Sequence, residues 1–336
     1  MPAFWFTREQ TNVAEIADSL SALVMILIVC LNLAVDETMH VDTLEIGHVH
    51  RSTKTLREAG SKGVNVARVL GTLGQPCTIT GFLGGPKGQF IADSLAQSGI
   101  RCSPCFIENE SRSCFIFVEN LAFRQTVINE PGPRIAPEET DRFFKQFAGL
   151  LAESDLVLIS GSSPPGVPAD AYARVISLSR RAGIRTLLDS SGIALQEAVK
   201  AGPFLLKVND EEARGLVTHS FSGVVETAAT ARQICRGGNL APEFVMITLG
   251  ANGAVLASRN ESYAFSSPKI AAKNSVGSGD AAFAGLTAAL AQGLPLEEMG
   301  RMAVAAGAAN ALHGGGHCTQ DEILLLKKEV RSQRID

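Results

Sequence analysis

A glycine-rich turn that ends in an acidic residue is the part of the sequence best suited to chemistry. The turn Gly277-Ser278-Gly279 precedes Asp280 and then the Ala-rich, helix-forming segment 281–290. Glycines allow successive amides to point outward at a helix start, where the helix dipole adds partial positive charge. Such a turn can bind a phosphoryl group, and Asp280 can take the proton of an attacking hydroxyl. An ordinary helix start fits the same residues, because Asp is a good N-cap.

A second glycine-rich turn precedes the amphipathic helix pattern near residue 65. Gly60 and Gly63 permit close approach of a polyol, and Lys62 between them supplies a point charge suited to an anion. Asn65 can both donate and accept hydrogen bonds, as vicinal hydroxyls require. Taken alone, the segment also fits any turn before a helix.

Polar residues also follow predicted buried strands, where open α/β sheets bind ligands. Asp36 follows the first of these strands, predicted at 25–31, although an ordinary turn residue is the alternative. Asn209 and Glu212 follow a later strand and can order the waters of a Mg²⁺ ion, which keeps part of its hydration shell. An acidic helix start explains this second pair as well.

The hydrophobic pattern predicts the elements that must position these residues. The chain has 336 residues, of which 46% are hydrophobic, enough for a large buried core. From about residue 156 onward strands and helices alternate, which predicts a parallel α/β sheet. Short alternating pieces at 37–58 and 105–130 predict half-exposed strands away from that sheet. Together they could form a small sheet that covers the site.

Charge and targeting signals exclude several classes of partner. The formal net charge of −4 provides no basic field for nucleic acid or an anionic membrane, so a few placed cations must hold an anionic substrate. The apolar segment 22–35 is shorter than the roughly 20 residues of a membrane span. Residues 1–24 are interpreted as an extension that precedes the domain at 25–336, with Met25 as a candidate initiator, because their acidic residues do not suit a signal peptide.

Cysteine and histidine usage gives no metal or redox site. The seven cysteines are scattered and odd in number, which favours a reducing, cytoplasmic environment over a disulfide framework. Cys102 and Cys105 form a Cys-x-x-Cys pair, but no second pair accompanies them, so zinc or redox chemistry is not expected. His40, His48 and His50 are better explained as alternating strand positions on a solvated lid than as metal ligands.

Both glycine turns resemble signatures of the PfkB/ribokinase family of sugar kinases. Gly-Ser-Gly-Asp at 277–280 and Gly-Ser-Lys-Gly-Val-Asn-Val-Ala-Arg at 60–68 carry the resemblance, and further motifs in the family's order extend it from Met25 to the C terminus. The resemblance is closest to the 1-phosphofructokinase and tagatose-6-phosphate kinase subgroup. Three positions depart from the family pattern: Leu33 and Val208 replace Pro, and Ser61 replaces Gly.

The resemblance implies a ribokinase-like three-layer α/β/α domain with a central, mostly parallel sheet and a small β-sheet lid. In the family this lid often forms a homodimer contact. The implied reaction is in-line transfer of the ATP γ-phosphoryl group with Mg²⁺, in which Asp280 is the base and the five amides of residues 276–280, around the turn at 277–279, stabilise the developing charge. The remaining implied site residues are, for the sugar phosphate, Asp36, Gly60, Lys62, Gly63, Asn65, Arg112 and Ser162; for the nucleotide, Lys207, Asn209, Thr248, Gly250, Gly253, Gly279 and Ala308; and for Mg²⁺ through water, Asn209 and Glu212.

Within the family, Lys62 and Arg112 favour an acceptor that already carries a phosphate. Fructose 1-phosphate, giving fructose 1,6-bisphosphate, is the first expectation. Tagatose 6-phosphate and fructose 6-phosphate follow closely, because the sequence does not fix which end of the sugar carries the anchored phosphate. An unphosphorylated ribose or nucleoside is disfavoured, since Lys62 would then lack a partner. A non-catalytic sugar-phosphate sensor on the same scaffold is the alternative from another class.

Overall fold

The computed structural model describes residues 24–121 and 124–335. The predicted N-terminal extension therefore lies, apart from Val24, outside the described residues. The strands are β1 (Ile26–Val29), β2 (Ala34–Val41), β3 (Lys54–Gly60), β4 (Cys77–Thr80), β5 (Phe82–Gly84), β6 (Arg101–Cys102), β7 (Cys105–Ile107), β8 (Arg112–Glu119), β9 (Arg124–Asn129), β10 (Leu156–Ser160), β11 (Arg185–Asp189), β12 (Leu205–Asn209), β13 (Phe244–Thr248), β14 (Ala254–Ala257), β15 (Ser262–Ser266) and β16 (Arg331–Arg334).

Helices connect most of these strands, and a short 3₁₀ turn (Gly250–Asn252) follows β13. The α-helices are α1 (Lys62–Thr72), α2 (Gly85–Gln97), α3 (Pro137–Leu151), α4 (Ala171–Arg181), α5 (Gly192–Lys200), α6 (Asp210–Arg214), α7 (Gly223–Cys235), α8 (Ser278–Ala291), α9 (Leu296–Ala311) and α10 (Gln320–Lys327).

A ten-stranded sheet forms the centre of the fold, in the order β16-β15-β14-β13-β12-β11-β10-β1-β4-β6. Neighbouring strands in the part β13-β12-β11-β10-β1-β4-β6 pair in parallel, and β14, β15 and β16 pair antiparallel at the other end. Continuous apolar runs such as the Ile-Leu-Ile-Val of β1 suit such a sheet, because its strands are buried on both faces.

Side chains that alternate along β1 enter two separate cores, one on each face of the sheet. Ile26 and Ile28 pack into the core that holds α1, α2, α8, α9 and α10. Leu27 and Val29 pack into the core that holds α3, α4, α5 and α7. The predicted three-layer α/β/α fold with a mostly parallel sheet is therefore confirmed.

The small second sheet has four strands in the order β3-β2-β8-β9. Strand β2 runs parallel to β8, and the outer strands pair antiparallel with them. We call this sheet the lid. The prediction of strands at 44–50 is wrong: these residues form turns between β2 and β3, and Gly47 has a φ of 87° there. Strand β7 does not join the lid either, since it pairs with β5 in a separate two-stranded sheet.

No helix in the described part of the chain is both long and apolar enough to cross a membrane. Within residues 24–121 and 124–335, no three or more His, Cys, Asp or Glu side chains are grouped so as to hold a metal ion. His50 lies in the turn after β2, where its Nε2 is 3.0 Å from the backbone nitrogen of Glu45.

Candidate active site

The predicted phosphate turn lies at the start of helix α8. Gly277 is the N-cap of this helix and has a φ of 81°, a left-handed conformation that favours glycine. A Cβ on Gly277 would also lie 3.0 Å from Nδ2 of Asn65. Glycine is therefore required at this position for its backbone angles and for its close contact with helix α1.

Three amides in the first turn of α8 have no acceptor among the described residues: those of Gly277, Gly279 and Asp280. The other two of the five predicted amides are used inside the turn, because Val276 donates to Asn274 Oδ1 and Ser278 donates to a carbonyl. Free amides at a helix start form a site for an anion. The turn thus offers an anion three free amide donors rather than the five predicted.

Asn310 on helix α9 supports this turn, a role that the sequence did not indicate. Its Nδ2 donates to the carbonyl of Val276 at 2.9 Å and to Oγ of Ser278 at 3.0 Å. Its Oδ1 accepts from the amide of Gly316 at 2.7 Å. The side chain is fully buried, and its amide group ties the phosphate turn to the loop that holds Gly316.

Asp280 lies at the mouth of the turn and is buried, with only 6% of its surface exposed. Burial raises the pKa of its carboxyl group, and the nearby ammonium group of Lys62 opposes that rise. Asn65 Nδ2 donates to Oδ2 of Asp280 at 2.9 Å, while Asn65 Oδ1 is buried without a partner among the described residues. The pair thus joins a carboxyl group of raised basicity to a buried acceptor that has no protein partner among the described residues.

Asp189, at the end of β11, holds two lysines beside Asp280. Its Oδ1 accepts from Lys62 Nζ at 3.0 Å, and its Oδ2 accepts from Lys207 Nζ at 2.9 Å. Burial raises the pKa of Asp189, but Lys207 and Lys62 outweigh that effect and keep the pKa below its ordinary value. A Cβ on Gly279 would lie 3.1 Å from Lys207 Nζ, so this ammonium group adjoins the phosphate turn.

Lys62 forms an ion pair with Asp189 that the sequence did not indicate. Asp189 is the largest cause of the raised pKa of Lys62, with Asp280 contributing. Lys62 therefore has a protein partner, and the expectation that an unphosphorylated sugar would leave it unpaired is wrong. Asp189 itself follows an apolar strand, so its position at a strand end was the signal that could have revealed it.

Gly60 and Gly63 make room for protein groups. A Cβ on Gly60 would lie 1.9 Å from Cγ of Asp36, and one on Gly63 would lie 2.5 Å from Cβ of Cys30. The reason given from the sequence, close approach of a polyol, is therefore not needed to explain either residue. Their absence of a side chain lets the lid strands and helix α1 approach the end of β1.

Asp36 lies within lid strand β2, directly opposite Glu58 on β3. Burial and the negative charge of Glu58 raise the pKa of Asp36 to about 6. Glu58 in turn accepts from His317 Nε2 at 3.0 Å and lies 3.7 Å from Arg68. Burial raises the pKa of Glu58, but these two partners outweigh it and hold the pKa below its ordinary value.

Asn32 joins the two remaining residues predicted to contact the sugar phosphate. Its Nδ2 donates to Oγ of Ser162 at 3.2 Å and to the carbonyl of Pro131 at 3.1 Å. Its carbonyl accepts from Nε of Arg112 at 3.2 Å, and Arg112 Nη1 donates to the carbonyl of Glu130. These contacts fix the guanidinium group at the lid boundary, and Nη2 has no hydrogen bond to the described residues.

The predicted nucleotide residues lie at the ends of neighbouring strands. Asn209 of β12 pairs in register with Thr248 of β13, and Thr248 Oγ1 donates to the carbonyl of Val208. Gly250 begins the 3₁₀ turn and Gly253 follows it, with φ values of 58° and 95°. A Cβ on Gly253 would lie 1.8 Å from the carbonyl oxygen of Phe265, so the glycine is needed for packing.

The last predicted nucleotide residue, Ala308, is buried within the core beside helix α8. Its neighbour Gly307 brings α9 close to the phosphate turn, since a Cβ there would lie 3.0 Å from the carbonyl oxygen of Ser278. This face of α9 therefore packs against the turn rather than standing open.

Asn209 and Glu212 form a capping box at the start of α6. Asn209 Oδ1 accepts from the amide of Glu212 at 2.7 Å, and Glu212 Oε2 accepts from the amide of Asn209 at 2.9 Å. The acidic helix start considered from the sequence is thus present. Oε1 of Glu212 has no hydrogen bond to the described residues, so the pair keeps acceptor capacity for the waters of a cation.

Ser61 has the only positive φ of any non-glycine residue among those described. Its φ of 110° and ψ of 163° fall in a region that is essentially restricted to glycine. A non-glycine residue there costs about 1–3 kcal/mol. The strain lies in the turn between β3 and α1, next to Lys62 and beside Gly60, which adjoins Asp36.

Residues 25–322 match the pfkB family of carbohydrate kinases. This chain belongs to that family. Family membership makes it an ATP-dependent sugar kinase, and the sensor alternative is set aside.

Relatives and solved structures agree with this assignment. The tagatose-6-phosphate kinase of Staphylococcus epidermidis is 32% identical over 311 residues, which cover 91% of this chain and 98% of that protein. The 1-phosphofructokinase of Bacillus subtilis is also 32% identical over 311 residues, covering 93% and 100%. Phosphofructokinase-2 from Escherichia coli, crystallised with substrates and products, superposes with a TM-score of 0.85 at 28% identity, covering 91% of this chain and 99% of that one.

Replacing the central carboxylate tests the charge cluster of the kinase. Asp189→Asn should lower the free energy of unfolding by about 3–5 kcal/mol, because two ammonium groups lose their buried counter-charge. Urea unfolding at pH 7 measures the change. Glu197→Gln, which breaks the surface pair with Lys200, is the control and should change it by less than about 1 kcal/mol. Equal effects of the two variants would contradict the cluster's importance.

Proposed function

We propose that this kinase transfers the γ-phosphoryl group of ATP to a ketohexose phosphate, with fructose 1-phosphate as the first candidate. The observation that carries the proposal is the position of Asp280. Its buried carboxyl group adjoins three unpaired amides and two ammonium groups. Transfer of a phosphoryl group to a hydroxyl uses each of these groups: the carboxyl group as base, and the amides and ammonium groups as charge stabilisers.

In the proposed mechanism the terminal phosphate binds at the amides of Gly277, Gly279 and Asp280. Asp280 accepts the proton of the attacking hydroxyl, and its raised pKa makes it a better base than an exposed carboxylate. Lys62 and Lys207 lie close enough to neutralise charge on the transferring group. Because Asp189 holds both lysines, they need little reorganisation during the reaction.

Asn209 and Glu212 are the proposed residues for Mg²⁺, which they would hold through water. When bound, the ion neutralises charge on the nucleotide phosphates. Thr248, Gly250 and Gly253 are the proposed nucleotide contacts at the end of β13.

The sugar is proposed to lie between Asp36 and Asn65, with its phosphate near Arg112 and Ser162. The side chains of Asp36 and Asn65 accept hydrogen bonds from hydroxyl groups, and Nη2 of Arg112 remains available for an anion. Relatives that are named for two different phosphosugars support the class of substrate. Tagatose 6-phosphate and fructose 6-phosphate are therefore the alternatives to fructose 1-phosphate.

A homodimer through the lid is also proposed. Leu56, Thr38, Ile116 and Val127 lie directly opposite one another across the four lid strands, so their side chains share one face. Thr38 is two residues after Asp36 in β2, so this is also the face that carries Asp36. The side chains of Leu56 and Val127 are more than 40% exposed. A second copy of the chain, which presents the same apolar face, would cover them. A tetrameric inhibited form is described for Escherichia coli phosphofructokinase-2.

A coupled ADP-release assay over the three phosphosugars, with fructose and ribose as unphosphorylated controls, tests the proposed function directly. At least one phosphosugar should give a kcat/KM well above both controls. Equal turnover of fructose or ribose would contradict the phosphosugar assignment.

Asp280→Asn should lower kcat by about 10²–10⁴, because the attacking hydroxyl loses its general base. ATP binding, measured by calorimetry, should persist because the amides of the turn remain. Asp141→Asn, at an exposed site on α3, is the matched control and should retain full activity. Wild-type turnover in Asp280→Asn would remove this residue from the mechanism.

The protonation of Asp36 predicts an acid limb in the pH profile. Its carboxyl group accepts stronger hydrogen bonds from sugar hydroxyls when it is ionised, so kcat/KM for the sugar phosphate should fall as pH decreases through about 6. Glu58→Gln removes a negative charge that raises this pKa, so the limb should move to lower pH. The phosphate of the sugar phosphate also titrates, but it does so identically with the wild type and with Glu58→Gln, so the difference between their pH profiles reports on Asp36. Glu45→Gln, on an exposed turn, should leave the limb unchanged, and an unmoved limb in Glu58→Gln would refute the assignment.

The dimer proposal predicts different effects on the two faces of one lid strand. Val127→Glu should shift the particle mass towards the monomer in light scattering, because it buries a charge in the contact. Ile128→Glu, the adjacent residue on the opposite face, should leave the mass at that of the dimer. A monomeric wild type, or dissociation by Ile128→Glu alone, would contradict this contact.

A further inference from the structure

Ser61 has a backbone conformation that suits glycine, although its side chain does not cap the helix that follows. It occupies the N-cap position of α1, yet its side chain makes no capping hydrogen bond to that helix. All the other positive φ values among the described residues belong to glycines. Since local strain persists where the surroundings or a function demand it, the serine calls for an explanation beyond capping.

The only polar partner of the Ser61 hydroxyl in the described structure is a thiol. Its Oγ lies 3.3 Å from Sγ of Cys30, just past the end of β1. Burial raises the pKa of Cys30, so this thiol is neutral and makes a weak hydrogen bond. A hydroxyl has one donor and two acceptor sites, so Ser61 retains capacity for a stronger partner.

The neighbours of Ser61 place it among the residues of the acceptor site. Gly60, on one side, abuts the carboxyl group of Asp36. Lys62, on the other, is paired with Asp189 and adjoins Asp280. Ser61 is itself half-buried, so part of it is accessible to a ligand.

We propose that the Ser61 hydroxyl donates a hydrogen bond to an oxygen of the acceptor sugar phosphate and helps to determine which sugar phosphate is preferred. Cys30 holds the hydroxyl in place, and the strain in the turn persists because a glycine would lose this contact. The inference rests on the proposed function, since it concerns the acceptor of that reaction.

Two substitutions separate the hydroxyl from the strain. Ser61→Gly removes both, whereas Ser61→Ala removes the hydroxyl and keeps a Cβ in the unfavourable conformation. In both variants the ratio of kcat/KM between the preferred and the next-best sugar phosphate should fall about 3–10-fold, the loss expected for one hydrogen bond. Only Ser61→Gly should raise Tm, by about 1–4 °C. Ser52→Ala, on an exposed lid turn, is the control and should change neither quantity.

A ratio of kcat/KM values is informative because a general loss of folded protein cancels from it. If Ser61→Gly raises Tm and leaves the ratio at the wild-type value, the proposed contact is overturned while the kinase assignment stands. If the wild type phosphorylates none of the three phosphosugars, the proposed function falls, and this inference falls with it.

Discussion

The buried carboxylate of Asp189 is the interaction on which the rest of the site depends. It joins two lysines from different elements, Lys62 from α1 and Lys207 from β12, below the start of α8. A buried carboxylate with a single partner is costly, whereas two ammonium groups compensate it and leave a net positive charge. That charge lies beside Asp280 and the unpaired amides, where a phosphoryl group would be stabilised.

The fold brings these groups together because parallel strands end at one edge of the sheet. Strands β1, β10, β11 and β12 end beside each other there, and helix α1 reaches the same edge from the lid. Two glycine positions make the approach possible: Gly60 accommodates Asp36, and Gly277 accommodates Asn65. Close packing around the site residues therefore requires glycine at these positions, and this accounts for glycine in both turns.

Hydrophobic patterns predicted the parallel α/β sheet and glycine placement predicted the two turns, because both are local signals, whereas the three layers were implied by the family resemblance. The hydrophobic pattern failed at 44–50, where a short polar–apolar alternation forms turns rather than strands. The sequence also indicated no role for Asp189 or Asn310. Their importance arises from contacts with residues far away in the chain, such as Lys62 and Val276, and a single sequence carries no direct signal of such pairs.

The proposed chemistry rests on the phosphate turn, and a crystal structure with a non-hydrolysable ATP analogue, Mg²⁺ and the sugar phosphate tests it most directly. The account predicts terminal-phosphate oxygens about 2.7–3.2 Å from the amides of Gly277, Gly279 and Asp280. It also predicts the acceptor hydroxyl within hydrogen-bonding distance of the Asp280 carboxyl group. A terminal phosphate bound away from this turn, or an acceptor hydroxyl facing another base, would contradict the account.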